Sequence, residues 1–455
     1  MNPGKLSEAS FSTNKDLEGM MPDANALSLR VNFTWTFAGN ITYAATQWGM
    51  LVVLAKLGTP EMVGQFALGL AITAPIIMFT NLSLRAVQST DAKDLHQFGD
   101  YFALRIITTI GAILATIVVV WIVGYVGEAG WIILAIAIAK AVESLSDVFY
   151  GFFQKHEQMD YIARSMIIKG MLSLVALAIG VYVSGSVFGG VLGLIIVWTL
   201  VFVLYDIRNG RRLMGTIATG DLLSQVAKLR PNFDLQMMRR LAWLALPLGL
   251  AATMVSLRTT IPRYFIERHG GQYELGIFAV MAYFMVAGTT IANALGQATS
   301  PRLAQHYAAV RVSNFRNLLI GLILFGILLG VGGLLVVYLA GPFILTLLYQ
   351  PEYAAHSDVL VWLALGTALS YVATFLGFGM TATRNFRIQP VIIGTTTLLT
   401  LILSMLLIPN YGMVGAAWAL AIAAGLTLLM ALIVNVHAYL KLLGKANMGR
   451  GKTSQ

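Results

Sequence analysis

The stretch Ala139-Lys140-Ala-Val-Glu143-Ser144-Leu-Ser146-Asp147 carries ionisable residues three and four positions apart. Those spacings stack Lys140, Glu143 and Asp147 on one face of a helix. The stretch is embedded in an apolar segment, where charge is costly and turns toward a cavity or a partner rather than lipid. Two readings follow. The stripe is either a self-neutralising ion cluster that fixes helix packing, or the wall of a polar cavity. In a wall, Lys140 would meet phosphate or sugar, and Glu143 and Asp147 would take up a coupling ion or bond to sugar hydroxyls.

Other apolar segments carry similar features. Asn32, Thr36, Asn40, Tyr43 and Gln47 recur at steps of four, four, three and four, a polar stripe that lines water or bonds to neighbouring helices. Asn40 and Gln47 are its cavity candidates, and Arg30 at its inner end either anchors the helix or meets an anion. Arg258 lies past the centre of a later segment, ~9 Å toward the outside at the helical rise, and either snorkels outward or faces a cavity. Arg263 follows, and Pro247 and Pro262 interrupt the segment; broken helices border cavities. Thr253, Ser256, Thr260 and Arg263 share a face that simple spacing denies to Arg258. Lys169, beside Gly170, either snorkels inward or faces the cavity. Asn293 and Gln297 read as helix–helix bonds. Arg30, Lys140, Lys169 and Arg258 outnumber Glu143 and Asp147, a balance suited to an anionic substrate such as a lipid-linked diphosphate.

The elements that must hold these residues are membrane helices. Of 455 residues, 58% are hydrophobic and 11% charged, with a mean hydropathy of +0.77. That is too little charge for a water-facing surface. Twelve apolar segments, each near the ~20 residues needed to cross hydrocarbon, fall at about 31–55, 62–82, 101–123, 130–152, 162–183, 187–206, 241–264, 275–298, 317–340, 357–379, 388–408 and 412–437. With the N-terminus inside, Lys56, Arg263 and Arg268 lie outside and Lys140, Lys169 and Arg258 lie within spans, which leaves 24 of the 30 lysines and arginines inside. The bias sets both termini in the cytoplasm and assigns the net charge of +10 to cytoplasmic loops rather than to nucleic acid. There is no cysteine, which excludes disulfides, thiolate metal sites and cysteine nucleophiles. The histidines form no H-x-x-x-H pair. The polar, mixed-charge first thirty residues predict no cleaved signal peptide.

The organisation expected is a cytoplasmic tail over 1–30, six spans over 31–206, a basic cytoplasmic linker over 207–240, six more spans over 241–437 and a tail over 438–455. The linker serves as an orientation signal near anionic lipid or as a specific lipid or partner site. The halves echo each other. Gly64-x-Phe66-Ala67 and Gly276-x-Phe278-Ala279 lie 212 residues apart, and the same shift relates Asn81 to Asn293. Gly190-x-x-Gly193 and Gly412-x-x-Gly415 are followed by Trp198 and Trp418. Such repeats place a transporter's substrate site between the halves.

Three stretches carry a family resemblance: Leu84-Arg85 with Asp91, Phe98-Gly99-Asp100 and Arg105; Lys140 to Gly151 with Gln154-Lys155 and Met159-Asp160; and Ile261-Pro262-Arg263-Tyr264 through Gly276 to Pro301-Arg302-Leu303. Over nearly its whole length the chain resembles the polysaccharide-transport (Wzx-type oligosaccharide flippase) branch of the multidrug/oligosaccharidyl-lipid/polysaccharide exporter superfamily. The resemblance implies an all-α fold of two six-helix bundles forming a V around a central cavity. It implies alternating-access movement of an undecaprenyl-diphosphate-linked oligosaccharide from the cytoplasmic to the periplasmic leaflet of a bacterial inner membrane, for O-antigen, capsule or exopolysaccharide assembly. It implies no cofactor beyond a proton or sodium gradient. Membrane lipids, a polysaccharide polymerase and other assembly proteins are the implied partners, with the chain itself a monomer. It carries substrate contact over to Lys140, Arg258 and Arg263; Arg30 and Lys169 rest on location.

Two rivals stand beside it. A cation-coupled drug exporter of the same superfamily would need a deep acid in the first or seventh span, and neither has one. A membrane enzyme acting on lipid-linked sugars would need a catalytic acid or base in a sizeable outer loop. The short outer loops offer only Glu128, Glu267, Glu274, Glu352 and Asp358. Nothing resembles a channel filter.

Overall fold

The computed structural model describes residues 29–91, 94–217 and 229–452. The described residues form helices and their connections, without strands. In chain order the helices are α1 (Leu29–Leu57), α2 (Pro60–Asn81), α3 (Leu84–Thr90), α4 (Phe98–Val123), α5 (Glu128–Lys155), α6 (Met159–Ser184), α7 (Val187–Val201), α8 (Ile207–Ile217), α9 (Leu235–Ala308), α10 (Val312–Leu348), α11 (Pro351–Ala354), α12 (Ser357–Ala382) and α13 (Gln389–Lys452). A π turn over Phe202–Asp206 joins α7 to α8.

Local chemistry sets the ends. Pro60 opens α2 after an extended Thr59, where its missing N–H costs nothing. Asp234 caps α9, its carboxylate accepting from the amides of Gln236 and Met237 at 2.8 and 3.2 Å; such caps satisfy otherwise orphaned donors. Each expected apolar segment lies on a helix. The long α9 and α13 each hold two, broken at Gly271 (φ 74°) and Gly412 (φ 52°), backbone angles that glycine adopts at little cost. The segment expected to end at 206 continues into α8, and helix runs past 437 to Lys452. Residues 1–28 of the expected N-terminal tail and 218–228 of the expected linker lie outside the described residues.

Large apolar side chains such as Trp121 (81% exposed) and Leu328 (70%) point outward along these helices. Eight of the helices among the described residues are long and apolar enough to cross a membrane. With so much apolar surface turned out, the chain is a multi-pass membrane protein. The repeat-related α4 and α10 are the least buried of these helices, which puts them on the lipid-facing periphery.

The two halves meet along α2 and α9. The main core joins Met50, Leu54, Val63 and Phe66 of the first half to Ile277, Phe278, Met281 and Tyr349 of the second. It sits at the end of the molecule away from the N-terminus. There Trp48 Nε1 donates to Tyr349 OH at 2.7 Å, and Gln350 Nε2 to the Ala55 carbonyl at 2.7 Å. A second core, at the opposite end of the first half, clusters Phe98, Phe149, Phe152 and Phe153 with Leu241 and Ala245 from the start of α9. The third, around Phe315, Leu322 and Phe375, belongs to the second half.

Candidate functional site

Each half holds a polar cavity on the side facing the other. The first, about 530 Å³, is walled by Tyr43 and Gln47 of α1, Asn81 of α2, Arg85, and Lys140, Glu143, Asp147, Tyr150 and Lys169 of α5 and α6. The second, about 540 Å³, is walled by Arg258, Arg263, Thr289, Thr290 and Asn293 of α9, Thr367 and Ser370 of α12, and residues of α13. Trp48, Phe284 and Tyr349 close them over at the end away from the N-terminus, with ring centroids 5.8 to 6.2 Å apart.

In the first cavity, the Lys140–Glu143–Asp147 stripe is cavity wall and ion cluster at once. Lys140 Nζ donates to Glu143 Oε2 at 2.8 Å and Tyr43 OH donates to Glu143 Oε1. Asp147 Oδ2 accepts from Arg105 Nη2 at 3.1 Å, and Arg85 Nη1 lies 3.6 Å from its Oδ1. Arg105 also donates to Asn81 Oδ1. Counted as an inner-end charge in the sequence, Arg105 is 0% exposed. Its buried guanidinium would be left uncompensated if it parted from Asp147, whose side chain stays 28% exposed at the cavity wall. Lys169 does not snorkel. It is 1% exposed, and Nζ donates to Ser146 Oγ at 3.1 Å and Tyr150 OH at 3.2 Å.

The polar stripe of α1 splits. Asn32 is buried and accepts from the Met159 amide at 3.3 Å, tying α1 to α6. Asn40 is exposed and does not line the cavity. Gln47 does line it, with Nε2 buried and unbonded. The side chain of Arg30 lies outside the described residues.

In the second cavity the balance differs. Arg258 and Arg263 both line it, and no carboxylate lines it with them. Among the described residues neither arginine forms an ion pair, and Arg263 Nε is buried without a partner. Each base of the first cavity has a carboxylate or hydroxyl partner; among the described residues neither arginine of the second is paired with a carboxylate. Asn293 faces this cavity, whereas Gln297 is exposed.

Sequence reasoning missed Asn81, Arg85, Arg105 and Tyr150 as site residues, and the hydroxyls of Thr367 and Ser370. Tyr150 lies three positions after Asp147, and Thr367, Ser370 and Thr374 recur at three and four, so the same spacing rule would have found them.

The family profile described as polysaccharide biosynthesis protein matches residues 29–307. The capsular polysaccharide biosynthesis protein CapF of Staphylococcus aureus is 30% identical over 392 residues, which cover 86% of this chain and 95% of that one. A solved structure of the lipid II flippase MurJ in an inward closed conformation shares the fold at a TM-score of 0.66 and 13% identity, over 90% of each chain. An inward-facing multidrug resistance MATE family transporter of the MOP superfamily does so at 0.64 and 13%, over 93% of this chain and 97% of its own. At such identities the likeness is one of fold.

Proposed function

The chain belongs to the polysaccharide biosynthesis protein family, and on that footing we propose that it is a lipid-linked oligosaccharide flippase. It moves an undecaprenyl-diphosphate-linked glycan from the cytoplasmic to the outer leaflet of the bacterial plasma membrane by alternating access. The observation that carries this reading is the pair Arg258 and Arg263, without an ion pair among the described residues, in a cavity that also presents the hydroxyls of Thr289, Thr290, Thr367 and Ser370 and the amide of Asn293 among apolar side chains. Two half-buried guanidinium groups without acids beside them are costly alone and favourable around an anion. Hydroxyls and amides beside them suit a sugar. In the first cavity opposite, the paired Lys140 and Glu143 would contact the glycan, and Lys169 would add a further cation toward the diphosphate.

The reading takes the chain to cross twelve times as two six-helix halves, with both ends in the cytoplasm as the basic residues favour. The closed end bearing Trp48 and Tyr349 is then external, and the conformation is open toward the cytoplasm. Transport would draw on a proton or sodium gradient, with no bond made or broken in the substrate. The likeness to a capsular protein favours a capsule-type glycan and partners that polymerise it. The reading does not need a second copy of the chain.

The test is transbilayer movement of a fluorescent undecaprenyl-diphosphate oligosaccharide in proteoliposomes, with and without an imposed gradient. Movement that falls at least tenfold in Arg258→Gln and Arg263→Gln, on the scale of one lost charge-assisted hydrogen bond, supports the reading. Movement unaffected by either substitution removes the diphosphate site. Absence of movement together with export of cationic dyes replaces the reading with a drug exporter.

A further inference from the structure

Behind the first cavity lies a carboxylate that none of the foregoing uses. Asp206 is 0% exposed and ends the π turn between α7 and α8. Such turns are rare and concentrate at functional sites. Its Oδ1 accepts from Ser165 Oγ at 2.6 Å, Ser165 Oγ lies 2.8 Å from Tyr150 OH, and Tyr150 OH accepts from Lys169 Nζ at 3.2 Å. With both ends fixed, Tyr150 must donate to Ser165. The donors therefore run one way, from the cavity wall at Lys169 and Tyr150 inward to Asp206. Its second oxygen, Oδ2, is buried without a close hydrogen bond, the hydroxyl of Ser146 being a further group that acts on the carboxylate. A buried anionic oxygen left so is costly, and protonation removes the cost.

We propose that Asp206 is the proton-binding group of this protein, loaded from the cavity through Tyr150 and Ser165, and that its protonation leaves the charge of Lys169 free to hold an anionic headgroup. The second clause rests on the reading of the cavity given above. The proton balance is simple. A hydronium in the cavity gives its proton to the Tyr150 oxygen, Tyr150 passes its own to Ser165, and Ser165 passes its own to Asp206. One proton enters, water is left behind, and each hydroxyl ends neutral. With Asp206 ionised, the cluster is neutral overall and Lys169 is balanced through the relay. With Asp206 protonated, the cluster carries one positive charge at the cavity wall.

The charged and titratable groups acting on Asp206 are Lys169 from α6, Tyr150 from α5 and the adjacent Tyr205, with the hydroxyls of Ser165 and Ser146. The ammonium of Lys169 beside the same hydroxyls disfavours a metal cation there, which leaves the proton as the ligand. By linkage, anion binding at Lys169 and proton binding at Asp206 assist each other to the same degree.

The experiment has two arms on the full-length protein in nanodiscs. Infrared difference titration should show a protonated carboxyl band that titrates in the wild type, vanishes in Asp206→Asn and shifts in Ser165→Ala, which keeps the acid and deletes its donor. Calorimetry with inorganic pyrophosphate should show affinity falling about tenfold as Asp206 ionises, on the scale of a typical coupling. Asp206→Asn should bind at high pH as the wild type does at low pH, and Lys169→Met should keep at every pH the lower affinity of the wild type at high pH, which Arg258 and Arg263 supply. The titration of pyrophosphate itself is common to all variants and cancels in the comparison. A carboxyl that never titrates, a band unmoved in Ser165→Ala, or identical pyrophosphate profiles in the wild type and Asp206→Asn would overturn the proposal. Should Asp206→Asn not fold, the Ser165→Ala band decides. Neither arm uses a lipid-linked sugar. Titration and coupling without flipping would therefore remove the flippase reading alone, and flipping without titration would remove only this one.

Discussion

Gly64 and Gly276, equivalent under the 212-residue shift between the halves, lie back to back where the halves meet. A methyl on Gly64 would overlap the carbonyl oxygen of Gln272, and one on Gly276 that of Pro60. Small residues at such a crossing let helices approach to backbone contact. The repeat signal in the sequence is therefore also the closed contact. Gly64→Val should spring the end bearing Trp48 and Tyr349 apart and favour the opposite conformation. Because the chain has no cysteine, Ala282→Cys on the cavity wall supplies a single thiol. Its labelling by an impermeant maleimide from outside should rise severalfold with Gly64→Val. Unchanged labelling would mean that the contact does not hold the closed state.

The aromatic latch nearby makes a milder test. Tyr349→Phe deletes the acceptor of Trp48 Nε1 at a cost of about 1 kcal/mol, typical of one hydrogen bond. Spin labels across the end bearing Trp48 and Tyr349 should show a longer-distance population growing about fivefold, while thermal stability changes little. Loss of stability without a distance change would assign Tyr349 to packing alone.

The Arg105–Asp147 pair should matter through its buried member. Asp147→Asn strands a fully buried guanidinium and should destabilise the protein by about 3 kcal/mol. Adding Arg105→Met should recover most of that loss, because the fully buried charge is then gone and Arg85, which also faced Asp147, is 34% exposed and stays solvated. Thermal unfolding of both variants is the measurement, and a double variant no better than the single one would contradict the account.

Asp91, outside the spans, should give a pH signature. Partial burial pushes its carboxyl up. The amides of Leu95 and His96, the charge of Lys155 and the hydroxyl of Tyr101 outweigh that and hold it below the usual carboxylate range. A depressed carboxyl contributes stability above its unfolded value, near pH 4, and loses that contribution as pH falls through its lower folded value. At neutral pH Asp91→Asn should melt below the wild type, and the gap should close under acid. A gap constant with pH would rule the ionised carboxylate out as its source.

The helical spans were legible because apolar run length is a local property, and the Lys140–Glu143–Asp147 face because spacing on one helix is too. Partners were not. Arg105 reads as an inner-end charge until α4 and α5 pack and bring it to Asp147. Asp206 reads as the end of a span until the π turn rotates it behind Ser165. Arg258 and Arg263 do not share a helical face, yet one wide cavity between α9, α12 and α13 takes both. Asn40 sits on the stripe by spacing and yet misses the cavity, because α1 turns only its Tyr43 and Gln47 levels toward α5. Each case turns on contacts between helices, which sequence periodicity does not encode.

The unequal charge of the two cavities has an electrical consequence. Among the described residues the second cavity carries two positive charges that no carboxylate offsets, and on the flippase reading proposed above a bound diphosphate would bring it close to neutral. A membrane voltage acts on each displaced charge with about 2.3 kcal/mol per 100 mV. The loaded and the empty protein thus feel the same voltage differently. The resting potential of the cell would set the pace of the unloaded return, while the loaded step would be nearly indifferent to it.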